Sequence, residues 1–232
     1  MTRQTLSRIW TIAEMQGRDL ARRRLALILL VALPLAFYGS LAGHAFDAIV
    51  PGGVAMAFSM AGAAIFSVLA ARAGDHRLVL AGFRPGELLA GRLIFLEGLS
   101  VPIVAGSSAL MVVGSNPPRP WILVLAVAMV ALVAVPFGLA VAALLPRELE
   151  ATLVLIGVVG IQLSLDASAG LSKALPFYGP RQLLYVSLGN GYPILAATEM
   201  SLVYAAVLFA VSLYVMGRRI RIRRPPPPDM PG

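Results

Sequence analysis

Three carboxylates, Glu97, Asp166 and Glu199, stand inside stretches of chain that are otherwise apolar enough for lipid. An ionisable group in hydrocarbon is costly, and by default it marks an ion path, a proton relay or a substrate contact. All three lie toward the ends of their stretches. Snorkelling, or structural pairing with Arg92, Lys173 or Arg181, therefore competes with a polar pathway as their role. Other reactive constellations are missing. No G-x-x-x-x-G-K-[ST] occurs, and the single lysine, Lys173, has no glycine-rich loop before it, so the chain has no phosphate loop of its own. There is no H-E-x-x-H and no G-x-S-x-G. His44 and His76 are separated by an apolar run of membrane-spanning length, which keeps them from sharing a metal. With no cysteine there is neither a disulfide framework nor a thiolate site. Catalytic and metal-binding residues are assigned to none, and the chain is not read as an enzyme.

The elements that must carry these acids follow from composition. A mean hydropathy of +0.84, with 59% hydrophobic and 13% charged residues, is incompatible with a water-facing surface, which needs about a quarter of its residues charged. A bilayer core of roughly 30 Å takes about 20 apolar residues of helix. Six runs qualify, near Leu25–Gly43, Gly52–Ala71, Leu93–Gly114, Trp121–Leu145, Ala151–Ala169 and Ile194–Met216. The expected fold is all-α and polytopic, a single transmembrane domain over 1–232. The net charge of +8 does not point to nucleic acid, because the arginines flank apolar runs without interleaved aromatics. Alternating the loops puts all but Arg119, Lys173 and Arg181 of the 19 basic residues on one side. By the positive-inside rule that side is the cytoplasm, with both termini in it. The arginine bias suggests GC-rich coding, hence a bacterial cytoplasmic membrane. A cleavable signal peptide is rejected for the first run, which follows a leader too long for one and lacks an A-x-A site.

Four segments lie outside the spans. Residues 1–24 place Leu6, Ile9, Trp10, Ala13, Gly17 and Leu20 at helical spacing, an amphipathic helix expected in the cytoplasmic interface. The loop 72–92 reads as a short helix ending near Phe83, a corner at Pro85 and Gly86, then Glu87–Arg92 leading into the third span. Arg84 and Glu87 are expected to project from that corner as an exposed charge pair. The outer segment 171–193, too apolar for a free loop, is expected to form a re-entrant hairpin with a short helix around Leu183, Leu184, Tyr185 and Leu188. The tail 217–232 ends the sixth span with a basic cluster and four consecutive prolines, favouring extended backbone.

This arrangement resembles the permease subunits of type-2 ATP-binding-cassette (ABC) exporters. RPGELLAGRL at 84–93 is similar to that family's Pro turn, leucine pair, glycine and basic residue opening the third span, and residues 137–170 are similar to its fourth-to-fifth span region. The acidic-Gly-Thr element that members often carry before the turn is replaced here by AGDHRLVLAG. The resemblance implies a translocation path formed with a second permease copy or paralogue. It also implies coupling to a separate ABC ATPase subunit through Phe83, Arg84, Pro85, Gly86 and Glu87. ATP and Mg would be held by that partner, with no cofactor bound by this chain. An ion-gradient-driven secondary transporter and a non-transporting scaffold or immunity subunit are the alternatives. The first is weakened by the lack of a clear internal repeat.

Overall fold

A computed structural model describes residues 3–40, 45–166 and 170–219. Gly43 and His44, the expected end of the fifth span at Ala169, and the proline tail lie outside the described residues.

Every regular element among the described residues is helical: α1 (Arg3–Arg22), α2 (Arg24–Ser40), α3 (Ala45–Ala70), α4 (Arg72–Leu80), α5 (Pro85–Ser115), α6 (Pro120–Leu144), α7 (Glu148–Ser164), α8 (Gly170–Lys173), α9 (Tyr178–Ser187) and α10 (Ile194–Arg219). Four of these are long and apolar enough to cross a bilayer, over Ala48–Ala70, Pro85–Ser115, Pro120–Leu144 and Ile194–Arg219. The chain is a multi-pass helical membrane protein. The other two expected spans fall on α2 and α7, each of 17 residues, or about 25 Å of helix.

The most apolar helix, α6, runs through the middle and is buried almost continuously from Val130 to Ala143, as an element apolar on all sides must be. It packs on α3, α5, α9 and α10, while α2 and α7 lie against α3. Lipid offers helices no hydrophobic drive to associate, so close van der Waals contact between small residues has to hold them. The α3–α6 crossing shows how. A Cβ on Gly138 of α6 would fall on the carbonyl oxygen of Ala61 and within 2.7 Å of the Ala64 methyl of α3. The α9–α10 crossing repeats the device, with Gly179 pressed to the Ala197 carbonyl and the Ser201 hydroxyl.

Charge separates the two ends of the bundle. At one end Arg72 donates to the carbonyls of Ala142 (2.9 Å), Leu145 (2.6 Å) and Pro146 (2.7 Å), and Arg219 donates to that of Leu144 (2.8 Å). Two guanidinium groups thus bind carbonyls at and just past the C-terminus of α6, where the helix dipole also favours cations. The last turns of α3, α6 and α10 are gathered here. At the opposite end Tyr38 of α2 shares a 2.6 Å hydrogen bond with Ser115 of α5, Gly53 of α3 abuts Leu184 of α9, and the Arg119 amide donates to the Ser187 carbonyl (3.2 Å).

The segment 171–193 holds α8 and α9. Leu183 and Leu184 are fully buried in α9 and Tyr185 is partly buried, with Leu188 just past its end. This stretch therefore packs as a helix among α3, α6 and α10.

Candidate functional site

The richest polar constellation lies at the arginine-rich end, where α4 turns into α5. Helix α4 stops in a glycine-terminated motif: the Gly82 amide donates to the Val79 carbonyl and the Phe83 amide to that of Leu78, both at 3.0 Å. Gly82 takes a φ of +91°, a conformation glycine adopts without steric cost. Three residues later Pro85 occupies the first position of α5, where its missing N–H is no loss. Arg84 sits before it in extended geometry, φ −85° and ψ 144°, and its amide donates to Glu87 Oε2 at 2.9 Å. An acid at the third helical position thus reaches back to cap the helix.

The structure changes the sequence expectation at this corner in two ways. Helix α5 begins at Pro85, ahead of the span start expected near Leu93, and Glu87–Arg92 lead into the apolar run as its first turns. Pro85 and Gly86 restrict the start of a helix without requiring a bend after it. Arg84 is exposed, but Glu87 is only 6% exposed and turned inward, so the two do not project together. The inward pull comes from the helix amide and from α1. Arg8 lies 3.6 Å from Glu87 Oε2, donates to the Gly82 carbonyl at 2.8 Å, and stacks 5.4 Å from the Phe83 ring centre. One α1 side chain thereby touches three positions of the turn.

A second lock lies beneath. Arg92, 1% exposed, donates to Asp75 Oδ1 at 2.6 Å and joins the first turn of α4 to the second turn of α5. Asp75 lines a cavity of about 240 Å³ together with Arg72, His76 and Arg219. Burial and then the neighbouring Arg219 charge draw the Arg72 pKa below the ordinary arginine value, with Asp75 acting in the opposite sense. Helix α1 is seated on α5 by Gly91, where a Cβ would come within 2.8 Å of both Ile12 and the Ile9 carbonyl. The inward stripe of α1 is Ile9, Ile12 and Ala13, whereas Leu6 and Trp10 are exposed, as suits a helix with one face on protein and another at the headgroups.

The three intramembrane acids do not converge. Glu97 lies on α5 with Oε1 buried and without a hydrogen-bond partner, and the Arg92 expected beside it is bound to Asp75 instead. Asp166 follows the end of α7, and Glu199 is exposed on α10. Among the described residues no three His, Cys, Asp or Glu side chains gather where they could hold a metal. Sequence reasoning missed the Arg8–Glu87 and Arg92–Asp75 contacts because each joins elements that no local pattern links. Gly82 was the available signal, a glycine three residues before a helix-starting proline.

Compared with protein-family models the sequence matches none, and it matches no curated protein.

Proposed function

We propose that this chain is the membrane subunit of an ABC exporter, working with a separate ATPase. The observation that carries the reading is the corner at Gly82–Glu87. It is stiffened by a helix cap, by the Arg8 contacts and by the buried Arg92–Asp75 pair, yet it leaves Arg84 exposed at its tip. A rigid turn joined without a break to a long apolar helix can pass a push at its tip into the bundle as a rigid-body shift. Nucleotide binding then falls to the partner, which fits a sequence without a phosphate loop. In this reading α2 and α7 complete six crossings and the arginine-rich end faces the cytoplasm of a bacterium. The segment 171–193 dips into the outer leaflet, and a second permease copy or paralogue completes the path.

Purification of the tagged chain from membranes of its native host tests this. We expect a co-purifying polypeptide with a phosphate loop, ATP hydrolysis by the complex, and loss of both when Arg84→Glu reverses the exposed charge. ATP hydrolysis by the isolated chain, or transport by it in liposomes without nucleotide, would overturn the reading. The second outcome belongs to an ion-driven carrier, for which the partnerless carboxyl oxygen of Glu97 is the favouring observation.

A further inference from the structure

A cleft of about 380 Å³ opens between α1, α2, α3, α5 and the first turn of α7. Its size falls within the roughly 300–1,000 Å³ of small-molecule sites. Along α3 it extends from Phe58 to Ala70, about 18 Å of helix. Leu29 and Leu33 of α2, with Phe58 and Phe66 of α3, make its long wall apolar. Of the two serines in that wall, Ser67 returns its hydroxyl to the Ala64 carbonyl at 2.9 Å, whereas the buried Ser59 hydroxyl has no hydrogen-bond partner. The rim is different in kind. Asp19 and Arg23 stand on it at the junction of α1 and α2, and Glu148 stands on it at the start of α7, all at the arginine-rich end.

The rim carries both signs of charge over an apolar slot, which is complementary to an amphiphile whose headgroup is also of both signs. Arg23 is 3.2 Å from Asp19, but both are more than half exposed, and an exposed pair holds weakly enough to exchange for a phosphate. Glu148 is exposed on the rim and has no ion-pair partner among the described residues, so its carboxylate is open to an ammonium. We propose that this cleft binds a zwitterionic, amine-bearing phospholipid from the leaflet at the arginine-rich end. One acyl chain lies along α3, the phosphate meets Arg23, and the ammonium meets Glu148. A purely anionic lipid would bring its charge to the two carboxylates without an amine to answer them. The site depends on the chain being a membrane protein and not on an ATPase partner, so it goes beyond the exporter reading.

Native mass spectrometry of the delipidated protein, titrated with phosphatidylethanolamine or phosphatidylglycerol of matched chains, tests the site. We expect phosphatidylethanolamine to bind more tightly, by about tenfold. Gly62→Phe is the blocking variant: Gly62 lines the cleft, and a Cβ there meets only Leu155 Cδ2 at 4.0 Å, which leaves room for a ring to occupy it. It should lose the bound lipid with the unfolding temperature unchanged. Glu148→Gln, on an exposed residue, should keep lipid binding but lose the preference between headgroups. Equal binding of the two lipids by the unaltered protein, a preference that survives Glu148→Gln, or lipid retained by folded Gly62→Phe would each overturn the proposal. So would a dimer that forms without lipid and is broken by Gly62→Phe, because the occupant would then be a second copy of the chain.

Discussion

The contact between Asp75 and Arg92 is the clearest case of one residue deciding the fate of another. Arg92 Nε and Nη1 have no hydrogen-bond partner, so its charge rests on the single bond to Asp75. Removing one member of a buried pair strands the other and typically costs about 3–5 kcal/mol, whereas replacing both with apolar groups of similar volume is often neutral. Asp75→Asn should therefore lower the unfolding temperature in detergent sharply, while Asp75→Leu with Arg92→Met should recover most of the loss. Equal stability of the single and double variants would show that the pair is not a lock. Glu87 and Arg84 make the complementary comparison. Glu87→Ala loses a helix cap and the Arg8 contact, a cost of about 1–2 kcal/mol. Arg84→Ala removes an exposed side chain and should stay within about 0.5 kcal/mol. That contrast is measurable by thermal unfolding of the isolated chain, and it separates the folding role of Glu87 from any docking role of Arg84.

Between elements, the decisive residues are those that let backbones approach. Gly138 has no room for a side chain against Ala61 and Ala64, whereas a Cβ on Gly157 of α7 would meet nothing within 4 Å. Gly138→Val should open the α3–α6 crossing and cost about 1–3 kcal/mol as overpacking. Gly157→Ala should raise stability by roughly 0.5–1 kcal/mol, because it removes chain entropy without touching a neighbour. Unfolding temperatures of the two variants in one detergent check both signs, and a neutral Gly138→Val would refute the packing account. Gly91 plays the corresponding part for α1, whose seat on α5 it makes possible. Helix spacing in residues 3–22 foretold an amphipathic helix, but which stripe would meet protein was not legible there. Its inward face is set by a glycine and a buried glutamate some eighty residues away.

For the whole molecule, the absence of cysteine makes sidedness directly measurable. Single cysteines at Arg77 and Arg84, both exposed at the arginine-rich end, should be shielded from an impermeant thiol reagent in intact cells. Cysteines at Asn116 and Asn190, exposed at the other end, should be labelled. Asp75 is unsuitable for this test because burial alone would protect it. The reverse labelling pattern would place the corner outside the cell and remove the coupling argument. Helical class, membrane residence and the arginine asymmetry could be read from the chain by itself, because lipid demands internally bonded backbone in long apolar runs and those runs are contiguous. The break near Pro85 was legible too, since proline acts on its immediate neighbours. The tertiary structure decided that Glu87 turns inward, that Arg92 belongs to Asp75 and not to Glu97, and that α9 is buried in the bundle. Each of these rests on groups brought together from distant elements, where burial makes an unpaired charge costly and so selects its partner.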